Sequence, residues 1–141
     1  MKTPAHVAVS LRLAALLYPI FQWKVLLILA GGVIIDIDHY FWYICKYKKF
    51  GLLSCYRFLS IETRKNKWKE VIGALFVFHT LEFVLLMILL SFYSNSALMF
   101  VIGLLGHYIL DFIWHFTVPK RVIVNHSIIS WIINNKIRNT L

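Results

Sequence analysis

The sequence predicts an all-α integral-membrane protein, a bundle of about four transmembrane helices in a single domain over residues 1–141. Composition is the first reason, because 60% of the 141 residues are hydrophobic and the mean hydropathy is +0.74, whereas soluble domains are usually about 45–50% apolar. Length is the second reason, because a helix needs roughly 20 apolar residues to cross a ~30 Å hydrocarbon core. Four apolar segments approach or meet that requirement, at about residues 5–21, 25–45, 71–93 and 97–118.

All four predicted spans contain polar or charged residues within an apolar run. The first carries His6, Arg12 and Pro19, which make a poor signal-peptide core and cleavage site, so we expect it to be a retained helix. The acidic residues and histidines of the other three spans are Asp36, Asp38, His39, His79, Glu82, His107, Asp111 and His115.

Two basic segments lie outside the predicted spans. The connector at residues 46–70 contains eight lysines and arginines and is expected to be cytoplasmic, since short cytoplasmic loops carry the Lys and Arg excess. The tail at residues 120–141 has isoleucines at helical spacing with polar residues between them, which predicts an interfacial helix or one packed under the bundle. The turns near residues 22–24 and 94–96 would then face outward, with both termini on the cytoplasmic side of the cell (inner) membrane. Cys45 and Cys55 would lie on the reducing side, so no disulfide is expected.

The net charge of +9 suggests a negatively charged partner. Nucleic acid is one class of partner for so basic a chain, but none of the usual nucleic-acid-binding motifs is present. We therefore expect the partners to be the lipid bilayer and its anionic headgroups.

Charged residues inside the spans require an explanation. Of the six acidic residues in the chain, Asp36, Asp38, Glu82 and Asp111 lie in apolar segments. A central Asp costs ~2.5–3.5 kcal/mol on insertion scales, whereas a large aliphatic residue contributes only ~0.3–0.6 kcal/mol. These carboxylates must therefore be paired, hydrated or bound to a cation.

The predicted topology places these residues in one cytoplasm-facing layer, and helical spacing puts several of them on common faces. The expected pairs are His107 with Asp111 and His115, His79 with Glu82, and Asp36 with His39. Asp38 is two residues after Asp36, so on a regular helix the two carboxylates would point in different directions. Either Gly31 and Gly32 help to distort the helix there, or Asp38 is a partner of a ligand and not itself a ligand.

Imidazoles and carboxylates together are typical ligands of a divalent metal ion, with Zn²⁺ favoured and Mn²⁺ or Fe as alternatives. There are two other interpretations. In the first, the chain is a structural membrane protein in which these side chains form contacts between helices without a metal ion. In the second, it is a metal-ion or proton transporter. A transporter would need polar groups continuing toward the outer face, and the outer halves of the spans have almost none. The expected metal ligands are His6, Asp36, Asp38, His39, His79, His107 and Asp111.

Four short motifs resemble a known family, the predicted membrane-bound metal-dependent hydrolases of bacteria and archaea, which include the LexA-binding, inner-membrane-associated type. Residues 3–6 read Thr-Pro-Ala-His, residues 32–39 Gly-Val-Ile-Ile-Asp-Ile-Asp-His, residues 78–83 Phe-His-Thr-Leu-Glu-Phe and residues 106–111 Gly-His-Tyr-Ile-Leu-Asp. Ile35 stands where the family usually has proline, and the third motif is altered, so the chain resembles a divergent member.

The resemblance implies a metal-dependent hydrolase. Glu82 or Asp38 would be the catalytic general base, since a carboxylate beside an activated water can accept its proton. A phosphoester or lipid-linked substrate would suit a divalent metal at a basic membrane surface. No role is assigned to His115 or His126.

Overall fold

The computed structural model describes the backbone of residues 3–61, 71, 73–117 and 126–140, and the side chains of these residues except 115–117 and 135–140. The described residues form an all-helical structure, which confirms the all-α part of the predicted fold class. Residues 62–70 of the predicted basic connector and the side chain of His115 lie outside the described part of the chain.

The α-helices of the described residues belong to two compact units. The first unit is Met1–Asp36 with Val84–Pro119, and the second is Ile37–Phe83 with Lys120–Leu141. The prediction of a single domain stays a prediction. In chain order the helices are α1 Thr3–Phe21, α2 Leu26–Gly32, α3 Ile37–Tyr47, α4 Leu52–Arg57, α5 Leu81–Ser91, α6 Asn95–Thr117 and α7 Ile128–Thr140.

Two helical stretches of the described chain are long and apolar enough to span a membrane, Thr3–Tyr47 and Asn95–Trp114. The predicted spans at residues 5–21 and 97–118 correspond to α1 and α6, whereas the other two are not continuous α-helices. Helix α5 has only 11 residues and is therefore about 16 Å long, well short of the ~30 Å core.

In the first unit, α1, α2 and α6 pack against one another. The chain reverses between α1 and α2 through a 3₁₀ turn at Gln22–Val25, where Gln22 has a left-handed φ of 49°. Glycines bring α2 and α6 close together, because a Cβ on Gly31 would overlap the carbonyl oxygen of Phe100 and one on Gly103 would overlap that of Ile28. Small residues at a helix crossing allow this approach of two backbones.

The helix distortion considered for residues 31–38 is present. Helix α2 ends at Gly32, Val33 leaves the helical region with φ −132° and ψ −47°, and a 3₁₀ turn at Ile34–Asp36 precedes α3. This break is present although Ile35 occupies the position where the family that the motifs resemble usually has proline. Asp36 therefore lies in the 3₁₀ turn and not in α3, and the expected pairing of Asp36 with His39 stays a prediction.

In the second unit, aromatic side chains of α3 and of the segment after α4 form a buried cluster. Tyr43 and Phe58 are 5% and 4% exposed, and Phe76 is 3% exposed. Cys55 of α4 belongs to the same cluster.

The structure corrects the predicted third span at residues 71–93 at its start. His79 lies in a 3₁₀ turn at Val77–His79, and Thr80 is extended with φ −93° and ψ 151°. The hydroxyl of Thr80 donates to the carbonyl of Val77 and accepts the backbone N–H of Phe83, so Thr80 caps the start of α5. His79 and Glu82 consequently do not share one helical face.

Polar residues are buried and large apolar residues are exposed on the same helices. His6 and His107 are 2% and 1% exposed, whereas Leu16 of α1 and Phe112 of α6 are 73% and 65% exposed. In a soluble helix the charged and polar residues cover the outer face, so the distribution here is the reverse.

Candidate metal centres

The first group of candidate ligands lies in the first unit and joins α1 to α6. His6 is in the first turn of α1, and its Nε2 lies 3.3 Å from Oδ1 of Asp111. His107 is one turn before Asp111 on α6, and its Nε2 lies 3.2 Å from Oδ2 of that carboxylate. One ligand atom of each of the three residues lies within 4.8 Å of the others. Of the predicted stripe of His107, Asp111 and His115, the pairing of His107 with Asp111 is therefore confirmed, and the side chain of His115 lies outside the described part of the chain.

A backbone carbonyl fixes the orientation of His107. Its Nδ1 lies 2.9 Å from the carbonyl oxygen of Gly32, and since a carbonyl can only accept, Nδ1 carries the hydrogen. Nε2 then points at two carboxylates, those of Asp111 and, at 3.6 Å, Asp36. Metal-binding histidines usually donate their other ring N–H to a carbonyl or a carboxylate in this way.

The electrostatics of this group call for a cation. In neutral His107 with hydrogen on Nδ1, Nε2 presents a lone pair to two carboxylate oxygens, an arrangement that is repulsive unless a proton or a metal ion lies between them. Nδ1 of His6 is also buried, with no hydrogen-bond partner in the described part of the chain. Two imidazoles and carboxylate oxygen are a donor set suited to Zn²⁺ and other divalent transition metals. The residues therefore fit a metal ion.

Ring stacking holds His6 and His107 together. Their centroids are 4.1 Å apart and their planes differ by 28°. Stacking of two rings that are both almost fully buried restricts their rotation, which is the precondition for a defined ligand geometry.

The second group of candidate ligands lies in the second unit, with Asp38 at its centre. Oδ1 of Asp38 is 2.7 Å from Nδ1 of His39, and Oδ2 is 3.1 Å from Nδ1 of His79. The backbone N–H of Phe78 also donates to Oδ2, at 3.1 Å. These three residues, Asp38, His39 and His79, could also hold a metal ion.

Glu82, the predicted general base, contacts the start of α7. The Ser127 hydroxyl donates to Oε1 at 2.6 Å, the Ile128 amide donates to Oε2 at 3.1 Å, and the Ile129 amide donates to Oε1 at 3.3 Å. An anion at a helix N-terminus is stabilised by these amides and by the helix dipole. The contacts favour a capping role, and the catalytic role of Glu82 stays a prediction.

Each of the two units thus brings some of the seven predicted ligands together. His126, to which no role was assigned, accepts the Leu81 backbone N–H through its carbonyl. The first unit brings together His6, Asp36, His107 and Asp111, and the second brings together Asp38, His39 and His79.

Sequence reasoning missed the groups that orient these side chains. The Gly32 carbonyl cannot be recognised from residue type, because every residue has one. Thr80 and Ser127 offered a signal, since each is a hydroxyl residue directly before a helix, the position that N-caps prefer.

No protein-family model, curated protein or solved structure matches this chain. The resemblance to the membrane-bound hydrolases stays a prediction based on the four motifs.

Proposed function

We propose that this chain is a membrane-bound, metal-dependent hydrolase whose metal ion is held by His6, His107 and Asp111 with Asp36 beside them. Zn²⁺ is the proposed ion, and the proposed substrate is a phosphoester or lipid-linked molecule at the cytoplasmic face. The arrangement of four spans with both termini cytoplasmic belongs to this proposal.

The distribution of exposed apolar side chains supports the membrane location. Ile20, Ile109 and Leu89, on three different helices, are 73%, 60% and 59% exposed. Soluble monomers rarely expose large contiguous apolar patches, whereas lipid removes the cost of such exposure. The buried polar side chains of α1 and α6 then avoid hydrocarbon by facing one another.

The observation that carries the metal proposal is the fixed orientation of His107. Its Nδ1–H is donated to Gly32, so Nε2 faces the carboxylates of Asp111 and Asp36, and either a proton or a metal ion must lie between them. In a neutral histidine without a bound ion, the Nε2 lone pair would face two carboxylates, which is repulsive. A bound cation removes this conflict.

The residues of this group would have different roles in such a site. A bound divalent metal ion supplies Lewis-acid chemistry, polarising an ester and acidifying a water molecule. His6 and His107 would hold the ion as neutral ligands, together with Asp111, whose Oδ1 lies toward His6 and whose Oδ2 lies toward His107. Asp36, 19% exposed by its side chain and 3.6 Å from His107, is the carboxylate of this unit placed to accept a proton.

Elemental analysis of detergent-purified protein tests the proposal. We expect wild type to contain a divalent metal that His107→Ala and Asp111→Asn each lose, while His126→Ala, the matched histidine control, retains it. Equal metal content in wild type and Asp111→Asn would contradict the metal site. Hydrolysis of a phosphoester panel should be lost with the metal. Ion flux into proteoliposomes without any hydrolysis would instead support a transporter.

A further inference from the structure

The carboxylate of Asp38 is surrounded by three hydrogen-bond donors of its own unit. Two are imidazole nitrogens, Nδ1 of His39 at 2.7 Å and Nδ1 of His79 at 3.1 Å, and the third is the Phe78 amide at 3.1 Å. Asp38 itself is only 9% exposed. A buried carboxylate with three such partners already has most of its acceptor capacity in use.

These contacts define which ring nitrogen carries hydrogen. An ionised carboxylate only accepts, so Nδ1 of His39 and Nδ1 of His79 must both be protonated. In the neutral form of each ring, Nε2 then carries the lone pair. One carboxylate thus sets the same tautomer in two histidines, one on α3 and one in the Val77–His79 turn.

Packing fixes the direction of both rings. His39 lies flat on Phe76, with centroids 3.9 Å apart and planes 9° apart. His79 meets His39 edge to face at 4.6 Å, and its backbone N–H donates to the Phe76 carbonyl. A ring held by a stacking contact and by a hydrogen bond at Nδ1 has little freedom to rotate.

We propose that Asp38 is a positioning residue, which holds His39 and His79 in the tautomer that presents Nε2 as a ligand for a transition-metal ion, without coordinating the ion itself. The inference deepens the proposed function and rests on it for the presence of metal. Of the roles that the sequence left open for Asp38, the proposal takes that of a ligand's partner and not that of ligand or general base. Carboxylate–histidine–metal arrangements of this kind tune metal affinity through the ligand's orientation.

The first test is the tautomer of each histidine in the metal-free protein, read by ¹⁵N NMR of histidine-labelled protein in detergent at a pH where the imidazoles are neutral. We expect both His39 and His79 of wild type to be Nδ1–H tautomers. In Asp38→Asn the amide offers one acceptor oxygen and one donor nitrogen, so at least one ring should change tautomer. Glu82→Gln is the matched control, since its hydrogen bonds go to α7, and it should change neither ring.

The second test is a zinc titration of the same variants. Asp38→Asn should bind the same number of ions as wild type with about 10–100-fold weaker affinity, the usual effect of losing a ligand's partner, whereas His79→Ala should lose an ion. An Nε2–H tautomer in wild type, or unchanged tautomers in Asp38→Asn, would overturn the proposal even if Asp38→Asn folds poorly, because the wild-type measurement needs no variant. If wild type has Nδ1–H tautomers but binds no zinc, the tautomer assignment stands and the proposed function is contradicted.

Discussion

Gly32 contacts both His107 and Ser10, and both contacts depend on the absence of a side chain at this position. Its carbonyl accepts the Nδ1–H of His107, and a Cβ at this position would overlap the hydroxyl of Ser10 on α1. A methyl group therefore strains the contact between α1 and α2 and shifts the carbonyl that orients His107.

We expect Gly32→Ala to destabilise the protein by about 1–3 kcal/mol, the usual cost of overpacking, and to lower its metal content. The double variant Ser10→Ala/Gly32→Ala should recover part of the loss, because the overlapping atom is the Ser10 hydroxyl oxygen. Gly31→Ala is the contrasting case, since its Cβ would meet the Phe100 backbone and no side-chain change relieves that. Thermal unfolding in detergent measures all four proteins, and equal stability of Gly32→Ala with and without Ser10→Ala would contradict the explanation.

The contacts of the candidate ligands were predictable from the sequence to different degrees. His107 and Asp111 were predictable because an i, i+4 pair on a long helix has only one arrangement. Asp38 was not, because its partners depend on a 3₁₀ turn about 40 residues later that brings His79 and the Phe78 amide to the same carboxylate.

At the scale of elements, the start of α7 is attached to the start of α5 by a small network. Glu82 accepts from Ser127, Ile128 and Ile129, and the Leu81 amide donates to His126. The network satisfies amides that a helix N-terminus otherwise leaves without partners.

We expect Glu82→Gln to loosen α7, because the amide loses the charge and one of the two acceptor oxygens that cap the helix. Ser127→Ala is the matched variant, since it removes the same side-chain contact from the α7 end. Limited proteolysis should cut both variants earlier than wild type within the C-terminal region. If Glu82→Gln instead keeps wild-type protease resistance and metal but loses turnover, Glu82 is the general base that the sequence predicted.

The elements themselves followed the apolar pattern only where it was continuous. Helices α1 and α6 match their predicted spans within a few residues. The span at residues 71–93 failed at its start because Thr80 takes an extended conformation and caps α5, a local hydrogen-bonding choice that hydropathy does not report.

On the scale of the whole molecule, lysine placement predicts which end of each span faces the cytoplasm. Cys55 cannot report this orientation well, because burial raises the pKa of its thiol to about 11 and keeps it protonated near neutral pH. Cys45 is exposed and lies near the end of α3, and Ser94 is exposed between α5 and α6.

In a Cys55→Ser background, a membrane-impermeant thiol reagent applied to intact cells should label a cysteine at position 94 but not Cys45. Both should be labelled once the membrane is permeabilised. Labelling of Cys45 in intact cells would reverse the proposed orientation, and labelling of neither after permeabilisation would show that the reagent cannot reach these positions in the native protein.

The glycine crossing of α2 and α6 also limits how the chain can vary in length. Gly103 is held against the Ile28 backbone, and His107 follows it by one turn. Each α-helical residue advances the direction of a side chain by about 100°. One residue inserted between positions 103 and 107 would leave the crossing and the helix intact while turning His107 and Asp111 away from His6, whereas an insertion before Ala97 would leave that spacing unchanged. A one-residue insertion before Ala97 should therefore be tolerated, whereas one between Gly103 and His107 should abolish metal binding at the group of His6, His107 and Asp111.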